Sequence, residues 1–271
     1  MSRPFVSHLS PEQASDSPED RDEFHADSAR THFIDLWTHR AMLARLDLLS
    51  GNPTVVDVGC SAGYLLEDLH HAIPEANLIG VDLAAEGLRK AHENVPDATL
   101  LQADVCALPL DDACADAAVS ANVLEHVADD ERALAEIIRI LRPGGRAVIV
   151  VPAGPSNYDY YDRFLGHMRR YARGELARKA QAQGFDVLDE LHLGSLLYPA
   201  FWAVKHRNRL LYAHLQGDAL STRVSEDIRG TKDSGLGRAA CLAEERLLSR
   251  GIKLPFGIRS LVVLARPQEG P

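Results

Sequence analysis

Three acids and two glycines stand at spacings that can hold a polar, nucleoside-like ligand. Asp57, Gly59 and Gly63 fall in the stretch 53–63, directly after the β-branched run Thr54–Val58 and before a helical pattern beginning at Tyr64. A turn of this kind brings backbone N–H groups and a helix N-terminus up to a ligand, and glycine lets the backbone approach closely at positive φ. Asp82 ends the apolar run that begins at Leu78, and Asp104 ends the one that begins at Thr99. A carboxylate at the tip of a neighbouring parallel strand can accept both hydroxyls of a ribose, and the next acid along suits an adenine amino group. A dinucleotide fingerprint would need glycine at 59, 61 and 64, where the chain has Gly59, Ser61 and Tyr64, so a nicotinamide oxidoreductase is disfavoured.

Further chemistry lies beyond the fourth and fifth apolar runs. His126 follows the run 115–123; it can orient a nucleophile or take its proton, or it can cap the turn. Residues 157–171 read as a loop over the strand ends, dense in aromatic, basic and acidic residues. There Tyr160, Tyr161 or His167 can orient or activate a hydroxyl, and Arg169 or Arg170 can hold an anionic group. Tyr158 and Tyr171 complete a substrate-side set. The competing reading is an ion pair of Asp162 with Arg169 or Arg170 that locks the loop.

Strands and helices in strict alternation must position these groups. Strands are expected at 54–58, 78–82, 99–105, 115–123, 146–152, 185–191 and 260–266, with helices at 64–72, 84–95, about 130–141 and 174–182. The expected fold class is α/β: a Rossmann-like seven-stranded mixed sheet, last strand antiparallel, helices on both faces, and a helical insertion between strands six and seven. The chain divides into a flexible tail (1–22), an N-terminal helical lid (23–52), a cofactor-binding core (53–155), a substrate-side loop, helix and strand (156–194), a helical cap (195–258) and the final strand (259–267). Within the cap, 217–237 reads as a mobile loop, and the apolar stretch 196–204 with its basic flank could contact a greasy substrate or, transiently, a membrane surface.

The ordered set Asp57-x-Gly59, Asp82, Asp104, Asn122 to His126 and Leu141 to Gly145 resembles the class I S-adenosylmethionine-dependent methyltransferases, in particular the methyltransferase domain of ubiquinone and menaquinone biosynthesis. Ser61 departs from that family's glycine pattern. The resemblance implies S-adenosylmethionine as cofactor and S-adenosylhomocysteine as product. It implies that Cys60, Leu83 and Val105 lie beside the cofactor, that Asn122 and Leu124 flank its methionine part, and that Arg40 reaches the methionine carboxylate. The aromatic-rich loop 157–171 and the apolar cap suggest methyl transfer to a small, hydrophobic or lipid-linked hydroxyl or carbon acceptor, with His126 and His167 as candidate bases. A non-catalytic cofactor-binding scaffold and methylation of a macromolecule are the alternatives.

Bulk properties narrow the field. The 271 residues carry a formal net charge of −10, which argues against a general nucleic-acid binder. Four cysteines (Cys60, Cys106, Cys114, Cys241) show no paired spacing, fitting a reduced cytoplasmic setting. No metal is expected: the twelve histidines include neither a HExxH nor an HxH pattern, and Asp104 with Asn122 lack a third nearby carboxylate.

Overall fold

The computed structural model describes residues 4–10, 32–46, 51–232 and 234–268, without the side chains of 225 and 228–232. Its elements in chain order are β1 (Val6–Ser7), α1 (Phe33–Leu43), β2 (Thr54–Val58), α2 (Tyr64–Ala72), β3 (Asn77–Asp82), α3 (Ala85–Asn94), β4 (Thr99–Gln102) and β5 (Ala115–Ala121). There follow α4 (Asp130–Ile140), β6 (Leu141–Pro152), α5 (Tyr160–Leu165), α6 (Glu175–Ala182), β7 (Asp186–Leu193), α7 (Tyr198–Tyr212), α8 (Gly217–Lys232), α9 (Gly235–Leu248) and β8 (Arg259–Ala265).

One sheet runs β1-β4-β3-β2-β5-β6-β8-β7. Its strands are parallel except β8, which lies antiparallel between β6 and β7. Because side chains alternate across a strand, Val56 and Val58 of β2 enter one core with Leu134 and Ile137 of α4 and Leu176 of α6. Val55 enters the other with Met42 of α1, Leu66 of α2 and Leu88 of α3. The β-branched runs are buried on both faces, as a parallel sheet between helical layers requires. Order reverses between β2 and β5, so the ends of these strands open the crevice where ligands bind in such sheets.

Three expectations need correction. The sheet has eight strands rather than seven, because Val6 and Ser7, in the segment read as a flexible tail, pair with Leu101 and Gln102. A two-residue exposed edge strand carries no hydrophobic alternation by which to read it. Segment 157–171 is not all loop: Asp159 caps α5, accepting from the Tyr161 N–H, while Asp162 reaches back to the Asp159 N–H at 3.0 Å. Segment 217–237 is largely helical, in α8 and the start of α9. Residues 1–3 and 11–22 of the expected tail, and 23–31 and 47–50 of the expected lid, lie outside the described residues. No helix among the described residues is long and apolar enough to cross a membrane.

Candidate functional site

The glycine turn is built from β2 and clamped by β3. The N–H groups of Gly59 and Cys60 both donate to the Val81 carbonyl, at 2.8 and 3.0 Å. Gly59 has φ +85, and a Cβ there would stand 2.2 Å from Cγ2 of Val123. Gly63, φ +77, begins α2, where a Cβ would stand 2.8 Å from that of Ala91. Both glycines are therefore fixed by backbone conformation and by close packing. Between them Ser61 is held at φ +44, in the left-handed region that a non-glycine side chain rarely adopts.

Asp82 closes the turn. Its Oδ2 accepts the Ser61 N–H at 2.7 Å and its Oδ1 the Ala84 N–H at 2.9 Å. Desolvation nevertheless pushes its pKa above the ordinary carboxylate range, against the pull of these donors. Asp57 is 1 % exposed, and its Oδ2 has no hydrogen-bond partner among the described residues. Desolvation, reinforced by the neighbouring Asp82 charge, pushes Asp57 up to about 8. Asp104 accepts the Cys106 N–H at 2.8 Å and turns the chain after β4. Asn122, at φ +56 beyond β5, donates its N–H to Val150 at 2.9 Å.

A cavity of about 1180 Å³ begins over this turn and continues under the cap. Of the expected cofactor residues, Asp57, Gly59, Cys60, Asp82, Leu83, Asp104, Val105 and Asn122 line it. So do the candidate base His126 and, from the substrate-side segment, Tyr160, Tyr161, His167 and Arg170. The others stand elsewhere. Arg40 is exposed in the last turn of α1, Gly63 supports α2 from behind, and Leu124 is wholly buried in the core.

Tyr158, Arg169 and Tyr171 are spent on holding the fold. The Tyr158 hydroxyl donates to the His167 carbonyl at 2.7 Å. Arg169 contacts Asp130 at 3.0 Å and the Ala128 carbonyl at 2.9 Å. The buried Tyr171 hydroxyl lies 2.7 Å from Asp130 and 3.2 Å from the Leu124 carbonyl. With Met168 N–H donating to Glu125 O at 2.8 Å, these bonds zip segment 167–171 onto the turn 124–130 and carry His167 up to His126. Their rings meet edge to face, centroids 4.8 Å apart.

Above this point the cavity wall is charged and buried. Asp162 accepts from His167 Nδ1 at 2.8 Å and from Arg170 Nε at 2.7 Å. Burial would raise Asp162, but His167, Arg170 and Lys205 together hold it well below the ordinary carboxylate range. Burial lowers His167, so its imidazole is neutral near pH 7. Lys205 of α7 bonds Asp159 at 2.7 Å and lies over the Tyr161 and Phe201 rings, at 5.1 and 5.5 Å. Glu125 is fully buried, both carboxyl oxygens lack partners among the described residues, and burial pushes it up to about 8.

Glu125, Asp159 and Lys205 were not among the residues singled out from the sequence. Lys205 read as part of a basic flank. In the structure α7 turns Lys205 and Asn208 inward and leaves Trp202, Leu210 and Leu211 exposed, a reversal that hydrophobic periodicity cannot signal.

A methyltransferase-domain family matches residues 56–149. The chain is 38% identical to the trans-aconitate 2-methyltransferase of Azoarcus sp., over 44% of this chain and 46% of that protein. It is 34% identical to the ubiquinone/menaquinone biosynthesis C-methyltransferase UbiE of Syntrophotalea carbinolica, over 48% and 55% of the two chains. The chain thus spans about half the length of these curated relatives. Its fold is shared with phosphoethanolamine N-methyltransferase 2 of Haemonchus contortus, solved with S-adenosyl-L-methionine, at a TM-score of 0.59 and 15% identity, covering 85% and 52%. The matched segment is the one that carries the glycine turn and the strand-end acids, and over residues 56–149 this chain carries a methyltransferase domain.

Proposed function

We propose that the protein transfers the methyl group of S-adenosylmethionine to a small, largely apolar acceptor carrying a hydroxyl or a nucleophilic carbon, held between the strand ends and the cap. The observation that carries this reading is Asp57 Oδ2, buried, unpartnered and on the cavity wall beside Asp82. An orphaned buried carboxylate oxygen is costly unless a cation or donor meets it, and the cofactor brings an ammonium and a sulfonium. The fit extends to Asp82, whose oxygens each accept one N–H and retain a lone pair for a ribose hydroxyl. Backbone around Gly59 and Cys60 supplies the close approach.

When bound, the cofactor supplies an electrophilic methyl on sulfur for in-line displacement. The chain's own residues align the acceptor and exclude water, which lowers the barrier as charge is neutralised in transfer. Phe201, Leu197 and Val204 provide apolar wall, and His167, oriented by Asp162, is placed to accept a hydroxyl proton at Nε2. Asp104 is assigned to the adenine end, and Asn122 and Val123 to the methionine end.

The test has two parts. Calorimetry should show S-adenosylhomocysteine binding that Asp82→Ala abolishes; unchanged affinity sinks the ribose assignment. Methyl-labelled S-adenosylmethionine with protein and cell extract should then place label in an organic-soluble small molecule. Label in protein or nucleic acid would overturn the acceptor class.

A further inference from the structure

The turn after β5 and the segment after α5 bring together Glu125, His126 and His167, which lie in separate parts of the sequence. Their nearest ligand atoms all lie within 4.8 Å of one another. Around one zinc-class ion, with bonds near 2.0–2.1 Å, such atoms would stand about 3.3 Å apart, a closure that side-chain rotation supplies. We propose that Glu125, His126 and His167 bind one divalent transition-metal ion of the zinc class, with its remaining coordination position open to the cavity.

Three observations support the site. Both carboxyl oxygens of Glu125 and Nε2 of His167 are buried and have no hydrogen-bond partner among the described residues. Buried polar groups are costly when left unsatisfied, so three such atoms around one point call for a shared occupant. Direct pairing does not satisfy them: His167 Nε2 and Glu125 Oε1 are 3.9 Å apart, beyond hydrogen-bond reach. Second, Asp162 sits behind His167, with Oδ1 2.8 Å from Nδ1. A carboxylate there holds the proton on Nδ1 and turns the Nε2 lone pair outward, the arrangement that orients metal-binding histidines. Third, all three residues line the cavity next to Asn122 and Val123, so the open position faces the acceptor's space.

Two imidazoles and one carboxylate with an open position form a donor set suited to a Lewis acid. An acceptor oxygen on the ion would be fixed in place and its hydroxyl made more acidic; with His167 Nε2 engaged as a ligand, the ion replaces the imidazole as the group that favours deprotonation, and the proton leaves to solvent before attack on the methyl. This role in the reaction rests on the proposed methyl transfer; the binding of metal does not.

The test is titration of chelator-treated full-length protein with Co²⁺, read by its visible d–d absorption, followed by displacement with Zn²⁺. One equivalent should bind. Glu125→Gln and His167→Ala should each weaken it at least a hundredfold, and Asp162→Asn about ten- to a hundredfold through loss of orientation. Circular dichroism melts identify any variant that fails to fold, and Asp162→Asn keeps the test open if His167→Ala does. Absent bands, or bands that survive Glu125→Gln and His167→Ala in folded protein, overturn the site. S-adenosylhomocysteine calorimetry on the same metal-free samples separates the two readings. Cofactor binding without metal binding overturns the metal site alone, and the reverse overturns the cofactor reading alone.

Discussion

Oδ2 of Asp82 accepts the backbone N–H of Ser61 at 2.7 Å, so the acid that ends β3 is a fixed part of the glycine turn beside it. The bond explains how Ser61 is kept at φ +44. A non-glycine residue there costs about 1–2 kcal/mol, partly offset by the lower chain entropy of serine in the unfolded state. Ser61→Gly is therefore expected to raise stability by roughly 0.5–1 kcal/mol, read as a higher melting temperature. Gly59→Ala should do the reverse by about 2 kcal/mol or more, since φ +85 and the 2.2 Å approach of Val123 both oppose a Cβ. A stabilised Gly59→Ala protein would contradict this account of the turn.

The raised pKa of Asp57 predicts a pH dependence with a definite sign. The folded protein holds this proton up to about pH 8, while the unfolded chain loses it in the ordinary carboxylate range. Between those limits the folded state binds more protons, so ligand-free stability falls as pH rises, by up to about 1.4 kcal/mol per pH unit for this group. A cationic ligand prefers the ionised form, so S-adenosylmethionine affinity should rise with pH, at most about tenfold per unit, and level off above pH 8. Calorimetry in buffers of different ionisation enthalpy should show proton release. In Asp57→Asn both trends should flatten.

Tyr171 provides a contrast between support and contact. Its hydroxyl bonds Asp130 and the Leu124 carbonyl, both away from the cavity. Tyr171→Phe should cost about 1–2 kcal/mol in urea unfolding, because Asp130 keeps Lys179 and Arg169 as partners. S-adenosylhomocysteine affinity should stay unchanged. A large loss of affinity at constant stability would return Tyr171 to the binding surface.

The buried pair Lys205–Asp159 predicts strong coupling. Lys205→Met leaves the Asp159 carboxylate without its 2.7 Å partner and should cost about 3–5 kcal/mol. The double variant Lys205→Met with Asp159→Asn should recover most of that, because neither charge is then stranded. A double-mutant cycle on chemical unfolding reads the coupling directly. Additive losses would show that the pair is solvated in solution.

The floor of the site was legible because local rules and tertiary structure agree there. Thr54–Val58, Asn77–Asp82 and Ala115–Ala121 are β-branched or apolar runs ending in acid, glycine or asparagine, and α2 begins and ends where the pattern placed it. The ceiling was less so. Helix α8 is polar and opens on Gly217, yet it is held by buried Val224 and by the side-chain contacts of Asp227 with Tyr160 and Arg223. The Arg223–Asp227 pair is local to the helix, but the burial of Val224 and the Asp227–Tyr160 contact are tertiary, and no local pattern encodes them. Glu125 lay inside a motif read for its neighbours; its significance comes from complete burial, which one position in a sequence does not disclose.

β8 re-enters the sheet between β6 and β7, and the Ile258 N–H donates to Leu193 O at 2.7 Å. The polypeptide from 194 to 257 therefore departs and returns through a single gap at the sheet's rim. That region roofs the cavity from one side of the sheet, and it is tied to the base through packing that includes Cys241 in the core and Gly237 against the Phe33 ring.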